Sequence, residues 1–223
     1  MKIWSIAAFL LMASPAFAAE DCFVYAGPGV DWSGCNKERL MLTGENLQGA
    51  KLAGALLNGS DLSKANLAGA MLDGAEISRV SFKEANLSKI SMEKASGSKV
   101  NFDGANLTGA HLVKIDLSRS DFVKAKLTDA DLTKAELSRC DFMAADLSRA
   151  IFKLANLERS SLIGAVLADT NFADAYLYRT VITGADLSQA SGLQQAQLDQ
   201  ACGDATTKLP AGLAASSTWP CEE

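Results

Sequence analysis

A large apolar residue returns at every fifth position along most of this chain, from Leu47 to Leu187. Of the 29 positions in the series, 28 are Leu, Ile, Phe or Met, and the exception is Gly97. The residue two before each of these centres is alanine at 18 of the 29 positions, and the residue directly before it is most often Asp or Asn. A period of five fits neither a helix nor a strand, so the pattern indicates an internal repeat.

The repeated unit, Ala-(Asp/Asn)-Leu-x-x, resembles the unit of the pentapeptide-repeat family over about two-thirds of the chain. The resemblance implies an all-β fold, a right-handed quadrilateral parallel β-helix. In that fold the centre and the residue two before it point inward, while the other three residues of each unit face solvent. Because packing occupies the inward positions, we expect any function to depend on the outward ones.

The aromatic centres test this fold without reference to the family. Four units make one square coil, so residue n should stack on residue n+20. The phenylalanine centres follow this spacing in two columns, which are Phe82, Phe102, Phe122 and Phe142, and then Phe152 and Phe172. Since parallel strands stack about 4.8 Å apart, the repeat predicts roughly seven to eight coils in a rod on the order of 35 Å long.

Two other columns lead to local predictions. Asn66, Asn86 and Asn106 also fall 20 residues apart, which predicts a short ladder of hydrogen-bonded amides. Gly97 leaves one coil without its central side chain, between Ile77 and Leu117. We therefore expect a small void or an inward kink there.

The repeat divides the chain into four segments. Residues 1–18 have the pattern of a Sec signal peptide, with Lys2, an apolar run and a small-x-small cleavage site ending at Ala18. A buried N-terminal helix is the alternative. Residues 19–43 are predicted to form an N-terminal cap and an irregular first coil, 44–190 the β-helix, and 191–223 a cap helix and tail. The apolar run is too short to span a membrane, so the mature chain is predicted to be periplasmic or secreted, without a transmembrane segment.

Export makes the cysteines interpretable, because disulfides form in oxidising compartments. We predict two local pairs, Cys22 with Cys35 and Cys202 with Cys221, at the two places where the ends of a rod must be held. Cys140 lies at an inward position and is predicted to be a buried, unreactive thiol. Trp32 is expected to cover the apolar column, since repeat proteins must cover their open ends.

The end of the chain contains a second signal. Leu198, Ala201 and Cys202 have the spacing of one face of a short helix, which Gly203 would end. This segment and the Lys-Leu-Pro that follows resemble the terminal cap of exported members of the same family.

A column of basic residues is the most conspicuous outward feature. It follows the centres of the column that contains Gly97 and consists of Arg79, Lys99, Arg119, Arg139, Arg159 and Arg179. Like charges about 5 Å apart repel unless they are neutralised. Glu76, Asp116 and Glu136 precede the same centres, so one interpretation is a ladder of ion pairs and the other is an anion-binding stripe.

A second outward feature is apolar. Val123, Met143 and Ile163 fall in one column, with Val166 close by, and Tyr176 and Tyr178 lie towards the same end. Exposed apolar clusters mark interfaces more often than scattered residues do. A protein partner or a homodimer is therefore one hypothesis for this cluster, and ordinary surface variation is the other.

Catalytic chemistry has little support in this sequence. His111 is the single histidine and falls at an outward position, so neither a metal cluster nor a paired-histidine system can be assembled. The many aspartates recur because the repeat favours them, and a convex rod offers no cleft in which they could act as acid and base. We expect no enzyme activity, no cofactor and no metal.

Three functions then remain. The first is a non-catalytic exported scaffold that binds an unknown protein or an envelope polymer. The second comes from the resemblance, because some family members are acidic rods that imitate duplex DNA and modulate type II topoisomerases. The third is polyanion binding along the basic column. Without Lys2 the chain has 20 basic and 26 acidic residues, a net charge of −6, so we do not expect the whole surface to bind nucleic acid.

Localisation separates the first two functions. We expect the protein to be found in the periplasm or the medium, shortened to begin near Ala19, because residues 1–18 have the pattern of a cleaved signal. Cell fractionation and the mass of the recovered chain measure this. Full-length protein in the cytoplasm would contradict export and make a topoisomerase accessible as a target.

Overall fold

The computed structural model describes residues 21–221, and the predicted signal peptide lies outside this part of the chain. Its architecture is a right-handed quadrilateral parallel β-helix, as the sequence predicted. Parallel bridges join residue n to residue n+20, from the pair Asp31 and Lys51 to the pair Asn171 and Ser191. Two short helices lie near the ends, a 3₁₀ helix at Asp21–Phe23 and α1 at Gln195–Leu198.

The ladder begins earlier than residue 44. Asp31, Asn36 and Met41 each bridge to the residue 20 positions later, so residues 31–43 follow the regular ladder, where the sequence predicted an irregular coil. Lys37 is accepted at a centre position because this coil is the outermost one. Its Nζ donates a hydrogen bond to the Cys22 carbonyl at 2.6 Å and lies 4.0 Å from the centre of the Trp32 ring. The Trp32 indole is buried and donates through Nε1 to the Val24 carbonyl at 3.0 Å.

Every corner of the helix contains a residue with positive φ. This residue lies two positions after each centre, at every fifth residue from Gly29 to Gly184, and most of those that are not glycine are Lys or Arg. The next residue closes the turn, as when the Ala50 N–H donates to the Leu47 carbonyl at 3.0 Å. A non-glycine residue in this conformation costs roughly 1–2 kcal/mol, which the ladder on both sides must offset. The corners thus project long basic side chains at a uniform angle.

The interior is filled by the centres and by the small residues two before them. The predicted phenylalanine column is stacked, with ring centroids 5.3, 4.7 and 4.7 Å apart from Phe82 to Phe142, and Phe152 stacks on Phe172 at 5.5 Å. The predicted amide ladder is also formed, and Asn46 extends it at the N-terminal end. Inward hydroxyls are satisfied by the main chain, as when Ser160 Oγ donates to the Leu137 carbonyl at 2.6 Å.

The backbone at Gly97 lies close against Ile77 in the coil before it. A Cβ atom there would lie 2.8 Å from both the carbonyl carbon and Cγ1 of Ile77 in the coil before. The turn that follows is also altered, because the Val100 N–H donates to Ser120 Oγ at 3.1 Å. The void and the inward kink both stay predictions.

The C-terminal cap closes the rod by a change of register. Val181 bridges to Cys202 and Asp186 to Lys208, which are 21 and 22 residues later. In α1, Leu198 is buried, and Gln197 Nε2 donates to the carbonyls of Phe172 and Ala175 at 2.9 and 2.8 Å. The cap therefore satisfies main-chain acceptors that the last coil leaves open.

Both predicted disulfides are confirmed. Cys22 is bonded to Cys35 at the N-terminal end, and Cys202 to Cys221 at the C-terminal end. The second bond holds the tail near Trp219, whose Nε1 donates to the Ala201 carbonyl at 2.7 Å.

Restoring the consensus residue at position 97 should destabilise the protein. In Gly97→Leu the new side chain meets the Ile77 backbone, and we expect the free energy of unfolding to fall by about 1–3 kcal/mol. Guanidinium unfolding with intact disulfides measures the loss, and Ser96→Ala, at an exposed position of the same coil, is the control. A Gly97→Leu protein at least as stable as the wild type would show that the coil relaxes outward at no cost.

Candidate binding surfaces

The six basic residues form one exposed column on the face that contains Gly97. We call this set the basic column: Arg79, Lys99, Arg119, Arg139, Arg159 and Arg179. All six have φ between 54° and 61°, so their side chains leave the corner with the same backbone orientation. Arg39 lies in the same register, separated from the column by Gly59.

The acidic residues that could neutralise this column have other partners. Glu76 accepts a hydrogen bond from Asn58 at 3.2 Å, and Glu136 accepts one from Asn156 at 2.6 Å. Asp116 accepts one from Ser118 Oγ at 3.1 Å. Within residues 21–221, salt bridges join none of these three carboxylates to Arg79, Lys99, Arg119 or Arg139, and Arg159 has a 3.8 Å contact with Glu158. The ladder of ion pairs through Glu76, Asp116 and Glu136 is therefore not formed.

A row of serines lies beside the basic column, one position before each of its first four residues. Ser98, Ser118 and Ser138 line a shallow depression of about 460 Å³ together with Lys99, Arg119, Arg139 and Glu158. Ser138 Oγ donates to Ser118 Oγ at 3.2 Å, and the Ser98 N–H donates to Ser78 Oγ at 3.3 Å. Sequence reasoning missed this row, although Ser78, Ser98, Ser118 and Ser138 are spaced by 20.

Carboxylates flank the depression on the strand side. Burial raises the pKa of the Glu136 carboxyl above its ordinary value, and repulsion from Asp116 adds to the effect. Hydrogen bonds from Ser138 and Asn156 act in the opposite direction on the same pKa. The face therefore presents cations along its corner and carboxyls along its middle, of which Glu136 is partly buried while Glu76 and Asp116 are exposed.

Three of the four apolar residues predicted to form an interface are neighbours on the surface. We call Val123, Met143, Ile163 and Val166 the apolar patch. The first three occupy successive coils, because the Lys124 N–H donates to the Met143 carbonyl and the Ala144 N–H to the Ile163 carbonyl. Val123 is half-buried, whereas Met143, Ile163 and Val166 are 43, 38 and 52% exposed.

Large exposed apolar side chains concentrate at the two ends of the rod. Between Met71 and Met143 the described chain has none. The N-terminal end exposes Phe23 and Tyr25 almost completely, and it also exposes Met41, which sequence reasoning did not single out. The signal for Met41 was available, because it lies directly before a centre and must face outward.

Reactive groups are few in this part of the chain. Cys140 is buried, its Sγ donates to the Leu117 carbonyl at 3.1 Å, and burial raises its pKa to about 12. His111 is exposed, as its outward position predicted. Residues 21–221 contain no group of side chains suited to hold a metal ion, and neither of their two helices has the length and apolar character to cross a membrane.

Comparison with known proteins agrees with the fold. A family model described as pentapeptide repeats matches the chain in eight copies, over residues 42–79, 75–112, 101–139, 110–149 and 150–189. No curated protein matches.

Among solved structures, HetL from the cyanobacterium Nostoc sp. strain PCC 7120, a pentapeptide repeat protein involved in the regulation of heterocyst differentiation, is 23% identical. That match covers 84% of this chain and 86% of HetL, with a TM-score of 0.50. A trypsin-treated form of QnrB1, a plasmid-mediated fluoroquinolone resistance protein, is 19% identical over 78% of this chain and 91% of its own, with a TM-score of 0.62. At these identities the likeness shows the fold alone.

Cys140 should not react in the folded protein. Because the thiol is buried and its pKa is about 12, we expect no alkylation by iodoacetamide at pH 8 and a single alkylation after unfolding without reductant. The intact mass reports both states, and the four disulfide-bonded cysteines are the internal control. Rapid labelling of the native protein would contradict the buried position.

Proposed function

Because the chain belongs to the pentapeptide-repeat family, we propose that it is a non-catalytic exported scaffold whose outer faces bind a protein or an envelope polymer. One observation carries this proposal. The inward side chains are buried in the core, and the main chain is hydrogen-bonded between successive coils. Other molecules can therefore contact mainly the outward side chains, which the coils hold in a rigid, regular array.

The character of this grid supports binding over catalysis. Successive coils hold equivalent side chains about 4.8 Å apart, which suits a partner that contacts several coils at once. The depressions on the described surface are shallow and open, whereas catalytic sites are usually enclosed enough to exclude water. A scaffold of this kind gains affinity from many weak contacts and needs no reactive group.

The disulfides support the exported location. Bonds of this kind persist in the periplasm and outside the cell, and are rare in the cytoplasm. Here they join both ends of the rod, Cys22 to Cys35 and Cys202 to Cys221, while Cys140 inside the rod remains a thiol. The partner in this proposal is therefore a component of the cell envelope or its surroundings.

Imitation of duplex DNA is the alternative, and the charge pattern argues against it. Duplex DNA has one negative charge per about 1.7 Å of its axis, so a coil about 4.8 Å high would need roughly three acidic residues and no basic ones. The coil of residues 111–130 has three outward acidic residues and four outward basic ones. Acidic residues also follow one another for at most two coils in any outward column, as in Asp121 and Asp141.

A second copy of the chain is the other candidate partner. The apolar patch favours it, because Met143, Ile163 and Val166 are exposed together near one end of the rod. A partner that covers the patch removes its apolar surface from water, which favours association. In a symmetric dimer the patches of both copies are buried in the same interface.

Capture from an envelope extract tests the proposed function. Immobilised mature protein should retain a defined protein or polymer, identified by mass spectrometry and sugar analysis. We expect retention to fall several-fold in Met143→Lys if the apolar patch binds, or in Arg119→Ser with Arg139→Ser if the basic column binds, since each change removes the contact chemistry of one surface. Met71→Lys is the matched control, because Met71 is similarly exposed, at 41%, and lies on another face.

Light scattering of the same proteins reports the occupant of the apolar patch. A dimer in the wild type and in Met71→Lys, but not in Met143→Lys, would identify a second copy, and a monomeric wild type would exclude it. Retention by the wild type no greater than by blank beads would contradict the scaffold proposal as a whole.

A further inference from the structure

We propose that the basic column and the serine row beside it form a groove for a linear acidic polysaccharide, which lies parallel to the rod axis. This inference rests on the proposed function and specifies its face and the class of its ligand. The juxtaposition that motivates it is the depression in which Lys99, Arg119 and Arg139 alternate with Ser98, Ser118 and Ser138.

The ladder holds the three cations in register. The N–H of Lys99 donates to the Ser118 carbonyl at 3.3 Å, that of Arg119 to the Ser138 carbonyl at 2.9 Å, and that of Arg139 to the Glu158 carbonyl at 2.8 Å. Each basic residue is thereby fixed about 4.8 Å from the next along the axis. A polymer with one anionic group per sugar-sized repeat can place successive charges against successive coils.

The cations in the middle of the basic column repel one another, and an anionic ligand would reduce this repulsion. Lys99, Arg119 and Arg139 form no salt bridge within residues 21–221, although like charges stand one coil apart. The neighbouring acids are occupied locally, since Asp121 accepts the Val123 N–H at 3.0 Å and Asp141 the Met143 N–H at 2.9 Å. A bound polyanion would relieve the repulsion that these acids leave in place.

The serine row selects for a hydroxylated polymer. Ser138 Oγ already donates to Ser118 Oγ, and Ser118 Oγ donates to Asp116, so these hydroxyls offer their remaining acceptor positions to the hydroxyl donors of a sugar ring. Guanidinium groups bind carboxylate or sulfate through two parallel hydrogen bonds. The residues that line the depression include no aromatic side chain, whereas sites for single-stranded nucleic acid need aromatic platforms for the bases.

The depression extends over several coils of this face. Ser98 and Lys99 line one end of it, and Glu158, which has a 3.8 Å contact with Arg159, lines the other. Carboxylates flank the groove, as Asp116 and Glu136 do, so a single anion gains little there. Binding therefore requires a polymer that contacts several coils simultaneously.

Two triple variants of equal charge test the groove. One is Lys99→Ser with Arg119→Ser and Arg139→Ser. The control is Lys94→Ser with Lys114→Ser and Lys134→Ser, which removes three cations from the corner column of the adjacent face, where φ is likewise positive, at 57°, 58° and 60°. Circular dichroism and unfolding midpoints establish that both proteins are folded.

The probes are oligogalacturonates of increasing length and a sulfated polysaccharide, with single-stranded DNA as a third arm. We expect the dissociation constant of a long oligogalacturonate to rise at least tenfold in the groove variant and about twofold or less in the control. Affinity should increase steeply with oligomer length up to the span of the groove, and the salt dependence of binding should become shallower in the groove variant. Tighter binding of the sulfated polymer, lost in the same variant, would support the groove and identify sulfate as the preferred charge.

Three results would overturn the inference. If polysaccharide binding weakens equally in both triple variants, the effect is due to net charge alone. If affinity does not depend on oligomer length, the polymer does not lie along the rod axis. If single-stranded DNA binds more tightly than either polysaccharide, the ligand of this face is a nucleic acid and not an acidic polysaccharide. If neither polysaccharide binds while envelope material is still captured through the apolar patch, the groove fails and the proposed scaffold function stands.

Discussion

The main-chain ladder between residue n and residue n+20 is the constraint on which the rest of this structure depends. The N–H of each bridging residue donates to the coil before it, and the N–H of the next residue donates to the coil that follows. For example, the Lys51 N–H donates to the Val30 carbonyl and the Leu52 N–H to the Met71 carbonyl. Parallel pairing of this kind tolerates no slip, because a shift by one residue would exchange inward and outward side chains. The register changes where the cap begins, at Val181 and Cys202.

The ladder converts sequence spacing into columns, and the columns differ in what they contribute. Stacked phenylalanines such as Phe102 and Phe122 bury apolar surface, and stacked asparagines such as Asn66 and Asn86 bond to one another. A column of cations has the opposite effect, since its members repel. Folding therefore gains nothing from the basic column, which makes the column a better candidate for binding than the stacks that stabilise the rod.

The ends of the rod meet a different requirement, because the ladder leaves unpaired main-chain groups there. At the C-terminal end Gln197 and the register change satisfy them, and a disulfide holds the tail in place. At the N-terminal end Trp32 and Lys37 close the apolar column while Met41 and Tyr25 remain exposed. The two ends are thus capped by different structures. The more regular middle of the rod presents a mainly polar surface.

The sequence by itself determined the coil, the stacking of Phe82 on Phe102 and the membership of the basic column, because each depends on a spacing that the ladder preserves. It also determined both disulfide pairs, because two cysteines lie near each other in sequence at each end of the rod. The tertiary structure decided what spacing does not encode. Lys37 occupies a centre because its ammonium reaches the Cys22 carbonyl, and Glu136 bonds to Asn156 instead of a basic residue. The close approach of the Gly97 backbone to Ile77 likewise required the coordinates, since residue spacing does not give the distance between coils. The order of residues specifies the column in which a side chain lies, but not the direction in which that side chain points. Hydrogen-bond partners depend on distances between coils, which only the structure gives.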